Sequence, residues 1–460
     1  MSLPWRYASA DDYVAGTIAK LSSTTDDSSS VVVRHLKIGK FYLHGSPSLR
    51  TDQAALLLRA GRNHPYLEEL TVCGVNFSGD SLSAFVELLR SDRTNTSGWK
   101  KVTLNNTDQQ AILALTTPSL LDHFVPIETI SITRSRLGCQ GFQSLASLLA
   151  SNPTLQKLEI TEETVNHSSA VALAEGLKAT KSLTTLELSY CVFQEHAVGT
   201  LATGVRQNTS LQSLLLPGCE LEDDQLAMIV TSLQNHPTMQ QLTLFRNHCS
   251  IQGTEALALL QNNSSSKISK LDLSYQQFER SKKLDIASIA DSLSTTACLQ
   301  RLSLSFNKLN NMDVQKLAEG LYRNDTLQQI DLRANNIRDD GVCALARVLK
   351  RHPSLEKVFL FGNPFGSIGA ESLLTVAREN TRLLELNTDY NASSYDSVQY
   401  YCCLNRGGRH LLKADVPPAF WPLIFCRAKK VSESSRGVCS AADIIYHLLN
   451  GSSVLERRRR

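Results

Sequence analysis

Residues 299–304 read LQRLSL, residues 327–332 read LQQIDL and residues 355–360 read LEKVFL. The first two hexamers end in an apolar–polar–apolar alternation, the period-two pattern of a short half-buried strand, and the third keeps the same apolar places with Phe359 between them. Fifteen residues after each start the period changes. Val314, Leu317, Ala318 and Leu321 follow the first hexamer; Val342, Leu345, Ala346 and Leu349 follow the second. That i, i+3, i+4, i+7 spacing is one face of an α-helix. Pro353 then stands two residues before the next start, as do Pro65, Pro153 and Pro237 elsewhere, and each proline ends the preceding helix. The unit is therefore a strand, a turn and a helix.

Outward from these hexamers the same frame fits most of the chain. Upstream it starts at Ile268, Met239, Leu211, Leu183, Leu155, Ile127, Trp99, Leu67 and more loosely Val33; downstream it starts once more at Leu383. The steps from Val33 are 34, 32, 28, 28, 28, 28, 28, 29, 31, 28, 28 and 28 residues. One unit cannot cover both its strand leucines and its helix leucines, so neighbours must stack to bury them. The expected fold is an α/β solenoid, a horseshoe with a parallel sheet on the concave face and helices on the convex face. At the ninth place of the unit stand Cys191, Cys219, Asn247, Asn307, Asn335 and Asn363. An amide there can bond the backbone that leaves the strand, and a cysteine fills the same small space. The pattern L-x-x-L-x-L-x-x-N/C-x-L at this period resembles the ribonuclease-inhibitor-like class of leucine-rich repeats. The resemblance covers about Val33 to Asn391 and implies the fold. It implies little about function, because such scaffolds carry function in one surface.

The expected organisation is an N-terminal segment and linker over 1–30, about 12–13 repeats over 31–391, and a C-terminal cap with a basic tail over 392–460. Asp12 to Leu21 reads as a short helix and SSTTDDSSS over 22–30 as a linker. Extra residues at 91–98 and Pro118 mark an irregular unit, and RSKK at 280–283 lies in a longer one. Beyond Asn391, Tyr400 to Leu404 and residues 441–449 read as helices, with Phe420 and Trp421 as anchors of the cap. An open solenoid end would otherwise expose its leucines.

The chain has 460 residues, with 47 Lys plus Arg against 44 Asp plus Glu. Four of the positives are Arg457 to Arg460, and without them the net charge of +3 becomes −1. So balanced a body lacks the field of a nucleic-acid or membrane binder. No run of 18 apolar residues is present, and Asp11 and Asp12 interrupt the stretch where a signal peptide needs its apolar core. The eleven cysteines form no CxxC pair and read as buried reduced thiols, which fits a cytoplasmic protein. The arginine run reads as a solvated end, with a nuclear address as the alternative. The sequence lacks GxxxxGK[ST], HExxH, GxSxG and zinc spacings, so no catalytic, cofactor or metal residue is assigned. Asp223–Asp224 and Asp339–Asp340 are expected at helix N-termini, where carboxylates are stabilised.

Places three, five, seven and eight of each unit face the concave side or its edge. Lys157, Glu159, Thr161, Glu162, Thr185, Glu187 and Ser189 make a polar row there. Further on the row reads Phe245, Arg246, Asp272, Tyr275, Arg301, Phe306, Asp331, Arg333, Phe359, Phe361 and Tyr390. Aromatics and arginine dominate interface hot spots, so this row is the expected site for a protein partner. The expected function is a non-catalytic interaction scaffold. A regulator of a small GTPase, resembling the Ran GTPase-activating protein, is the alternative. A ribonuclease inhibitor fits least, since those proteins are acidic and cysteine-dense.

Overall fold

The computed structural model describes residues 10–22, 35–39, 50–62, 64, 67–90, 99–116, 126–263, 265–276, 284–389, 394–409, 426–431, 440 and 444–445. The start at Val33, Pro65, the linker after Ser22, the insertion at 91–98, Pro118, the RSKK turn, Tyr390, Phe420, Trp421 and the terminal arginines lie outside them. Of the helix expected over 441–449, Ile444 and Ile445 are described. The backbone separates into two compact units, Met1–Leu221 with Met228–Leu242 and Glu222–Ala227 with Thr243–Arg460.

In the first unit, helices and strands alternate as α1 (Ala10–Ser22), β1 (His35–Gly39), α2 (Thr51–Arg62), β2 (Glu69–Cys73), α3 (Gly79–Arg90), β3 (Trp99–Asn105), α4 (Gln109–Leu115), β4 (Ile127–Thr133) and α5 (Gly138–Ser151). They continue as β5 (Lys157–Thr161), β6 (Thr164–Val165), α6 (His167–Ala179), β7 (Thr185–Ser189), β8 (Val192–Phe193), α7 (Ala197–Gln207) and β9 (Ser213–Leu215). The chain then forms α8 (Asp223–Leu233) and β10 (Gln241–Thr243). The second unit holds α9 (Ile251–Gln261), β11 (Lys270–Asp272), α10 (Ile286–Thr295), β12 (Arg301–Ser303), α11 (Asn311–Arg323), β13 (Gln329–Asp331) and α12 (Asp339–Leu349). It ends in β14 (Lys357–Phe359), α13 (Ser367–Glu379), β15 (Glu385–Asn387) and α14 (Tyr395–Arg406).

Each unit is a βα stack, and its strands pair in parallel in chain order: β1-β2-β3-β4-β5-β7-β9 in the first and β11-β12-β13-β14-β15 in the second. Register matches repeat to repeat. Leu70, Val102, Ile130, Leu158, Leu186 and Leu214 pair in series, and so do Leu271, Leu302, Ile330, Val358 and Leu386. These fourth-place residues and the sixth-place leucines are buried between sheet and helices, as are Val314, Leu317 and Leu321. Each buried leucine contributes about 2 kcal/mol of transfer free energy. The sequence did not announce β6 and β8, which pair in parallel as a separate two-stranded ribbon.

The ninth-place ladder forms as the chemistry requires. Asn335 donates through Nδ2 to Leu304 O and Leu332 O, while its Oδ1 accepts from Asn307 N and Leu309 N. Cys191 and Cys219 point their thiols at Ile160 O and Leu188 O. The ladder also enrols Gln276, which donates to Leu244 O, and Glu163, whose carboxylate accepts from Ser135 N and Leu137 N. Ten cysteines among the described residues are free thiols.

The aspartates at helix starts reach one repeat further than expected. Asp339 Oδ1 accepts from Gly366 N and Gly369 N, and Asp223 Oδ1 from Ser250 N and Gly253 N. Each thus binds the N-terminal amides of the following helix and ties two repeats together. At the ends, Tyr13 of α1 is buried and its hydroxyl donates to Lys37 O. Cys402, Cys403 and Leu404 of α14 are buried, and Asn405 donates to Asn380 O and Leu383 O. Arg409 donates to Ala377 O and Arg378 O, the carbonyls that the end of α13 leaves open.

Candidate interaction surface

Counting places from the first apolar residue of each unit, the eighth place has one backbone conformation in every repeat where it is described. Gly74, Asn106, Arg134, Glu162, Tyr190, Gly218, Arg246, Tyr275, Phe306, Ala334 and Gly362 all have φ between 50° and 76°. The cause lies in the ladder. The eighth-place amide makes the last rung, to the seventh-place carbonyl of the next repeat: Tyr275 N to Ser305 O, Phe306 N to Arg333 O and Ala334 N to Phe361 O, at 2.8–2.9 Å. The chain must then leave the sheet at once, and the left-handed conformation makes that turn. For a residue with a β-carbon it costs roughly 1 kcal/mol or more.

Aromatic residues occupy this place in two consecutive repeats of the second unit. Tyr275 is 36% exposed and Phe306 50% exposed. Their ring centroids lie 5.7 Å apart, and the seventh-place ring of Phe245 lies 5.9 Å from Tyr275. Both spacings fall in the range of favourable offset or tilted pairs. The rings therefore stack on one another and still face solvent. Further along, the Arg333 guanidinium lies 5.4 Å from the Phe359 ring centroid, and Phe361 is 44% exposed.

The remaining residues of the expected row divide. Arg246 and Arg301 are exposed, and Asp272 and Phe359 are half-buried. Asp272 turns Oδ1 to Ser274 N at 2.9 Å. Asp331, expected to face a partner, is instead buried. Its carboxylate accepts from Arg333 N and Nε and forms a 2.5 Å ion pair with the guanidinium. It holds Arg333 in place, and that hydrogen bond raises the Arg333 pKa. Tyr390 falls outside the described residues. Lys270, at the third place and exposed, belongs to the same face and was missed. Repeat alignment alone puts it beside Arg301.

The polar row of the first unit is neutralised from within. Glu159 lies 3.0 Å from Lys101 and 2.5 Å from Lys157, and Lys157 reaches Glu187 at 3.3 Å. Burial alone would raise the Glu159 pKa. Hydrogen bonds from Lys157, Ser131 and Lys101 outweigh burial and hold the carboxyl at about 2. A groove of about 930 Å³ opens on the helix face between α10, α11 and α12. Its walls mix small apolar residues such as Ala287, Ala290 and Val348 with Asp291, Glu319, Lys316, Arg323 and Arg347. No group of three or more metal-ligating side chains is found among the described residues, nor any helix long and apolar enough to cross a membrane.

The family model for the MHP1/HER1/GIP3 LRR domain matches residues 101–387, from β3 to the end of β15. The chain belongs to that leucine-rich-repeat family. The match takes in both the neutralised row and the aromatic face through Phe361. No curated protein matches the chain. Among solved structures, the yeast Rad7–Elc1 complex is similar at 14% identity over 75% of this chain and 82% of that one, with a TM-score of 0.47. The leiomodin-1 actin-binding site 2 matches at 17% identity over 28% and 76%, and the Caenorhabditis elegans tropomodulin C-terminal domain at 14% over 28% and 79%, each with a TM-score of 0.26. Leucine-rich-repeat domains are protein-interaction scaffolds as a class, and this family domain is one at that level.

Proposed function

We propose that this domain binds a protein partner without catalysis, on the aromatic strand face that runs from Phe245 through Tyr275 and Phe306 to Phe359 and Phe361. The observation that carries the reading is the choice of residue at the eighth place. Glycine or asparagine would meet the left-handed backbone at lower cost. Tyr275 and Phe306 accept that cost and remain in solvent, stacked on each other and, through Tyr275, on the seventh-place ring of Phe245. Strain at an exposed ring is a signal of use. A preformed stack also loses little entropy when it is covered, so its apolar area favours binding with little offset.

The test is a titration of the purified partner, once identified by affinity capture, against single variants. Phe306→Ala and Phe361→Ala should each weaken binding by about 2 kcal/mol or more, roughly thirty-fold, at unchanged melting temperature. They are cleaner probes than Arg333→Ala, which would uncover the buried Asp331. Glu187→Ala in the first unit and Tyr322→Ala beside the helix-face groove should leave affinity as it is. Loss of binding in Tyr322→Ala with none in the two phenylalanine variants would move the partner to the helices.

A further inference from the structure

One pair of charges on the aromatic unit breaks the pattern of all the others at the third place. His35 lies 3.2 Å from Glu69, Lys101 and Lys157 lie 3.0 and 2.5 Å from Glu159, and Lys357 lies 3.7 Å from Glu385. Lys270 and Arg301 instead face each other. They are register partners on β11 and β12, both are exposed, and neither side chain has an ion-pair or hydrogen-bond partner among the described residues. Adjacent strands run about 4.8 Å apart, so two like charges opposite one another repel. The same two repeats carry Tyr275 and Phe306 at the eighth place. Five residue steps separate third from eighth place, roughly 15 Å, which an extended peptide of about five residues spans.

We propose that Lys270 and Arg301 receive a carboxylate of the partner, and that the bound segment is an extended acidic–apolar peptide. An aspartate or glutamate sits between the two cations, and an aromatic or aliphatic side chain about five residues away covers the Tyr275–Phe306 stack. This rests on the reading of the aromatic face given above and names the chemistry of its partner. Charge complementarity selects the occupant. A single-stranded nucleic acid also offers anions and stacking surfaces, but it carries a charge at every nucleotide. Between the cations and the rings it would meet the Asp272 carboxylate, and further along the face the Asp331–Arg333 pair. A peptide with one carboxylate at one end avoids both.

The experiment is selection of a random dodecapeptide display library on the intact chain, on a Lys270→Glu/Arg301→Glu variant and on Phe306→Ala. Wild type should enrich peptides with one acidic residue four to six positions from an aromatic or aliphatic residue. In anisotropy titrations, replacing that acid by its amide should weaken a selected peptide at least ten-fold. The charge-reversed variant should enrich lysine or arginine at the same spacing, and Phe306→Ala should lose the enrichment. If the reversed variant enriches the same peptides as wild type, the carboxylate site is wrong and the aromatic face stands. If Phe306→Ala enriches the same peptides, or wild type enriches none, the aromatic face fails and the carboxylate site fails with it. Binding of a fifteen-residue oligo(dT) that charge reversal abolishes would replace the peptide with a nucleic acid.

Discussion

The residue between helix and next strand does the same work in several repeats, with different chemistry. Asn324 accepts at Oδ1 from Thr326 N and Leu327 N and donates at Nδ2 to Leu293 O; Asn208 and Asn380 do likewise. His352 stands at the equivalent place, buried, and its Nδ1 accepts from Ser354 N and Leu355 N. Imidazole replaces the amide as an acceptor only while it is neutral. Burial, opposed by Leu321 and Asp325, lowers its pKa from 6.5 to about 4. The unfolded chain therefore binds more protons than the folded one between those values. The contribution of this site to stability is present above pH 6.5 and is lost as pH falls toward 4. From pH 7 to pH 5 that loss is about 2 kcal/mol. His352→Asn keeps the acceptor and removes the titration, so urea midpoints at the two pH values should lie closer together in the variant. Equal separation in both proteins would mean that His352 does not titrate as described. The sequence hid this equivalence because histidine and asparagine share a hydrogen-bonding role without sharing a pattern. It hid the eighth-place backbone too, since Arg, Glu, Tyr and Phe do not advertise a left-handed turn.

Helices were legible where their apolar faces repeat, but their closeness was not. On α7 two glycines have opposite roles. A β-carbon on Gly204 would sit 2.5 Å from the Ala174 α-carbon of α6, a backbone atom that cannot swing aside. On Gly199 the nearest atom is the Met228 sulfur at 3.4 Å, the end of a flexible side chain. Alanine is a better helix former than glycine by about 1 kcal/mol. Gly199→Ala should therefore gain up to that amount. Gly204→Ala should lose ~1–3 kcal/mol, because overpacking outweighs propensity. Chemical denaturation of the two variants gives the signs, and equal signs would show that α6 and α7 are not packed this closely. The two-residue strands β6 and β8 are a related case. They arise from backbone pairing beyond the ninth-place turn, and so short a ribbon leaves no period in the sequence.

At the scale of the molecule, the 28-residue step made the fold legible, because each start fixes both a strand register and a helix face. The site was legible only in part. Phe245, Tyr275 and Phe306 followed from place in the repeat, whereas the burial of Asp331 depends on how Arg333 folds back over it. Stability in such a stack is a sum of repeat and nearest-neighbour terms. A core lesion should therefore act over a limited distance. Leu302 on β12 is buried and pairs in register with Leu271 and Ile330. Leu302→Ala should cost ~2–5 kcal/mol, from lost transfer energy and the cavity left behind. Amide hydrogen exchange reports where that cost falls. Protection should drop most at β11, β12 and β13, whose rungs neighbour the cavity, and least at β3, β4 and β5 in the first unit. A uniform drop would mean that the array unfolds in one step and that the neighbour-limited description is wrong. Unchanged protection at β12 would mean that Leu302 does not occupy the core.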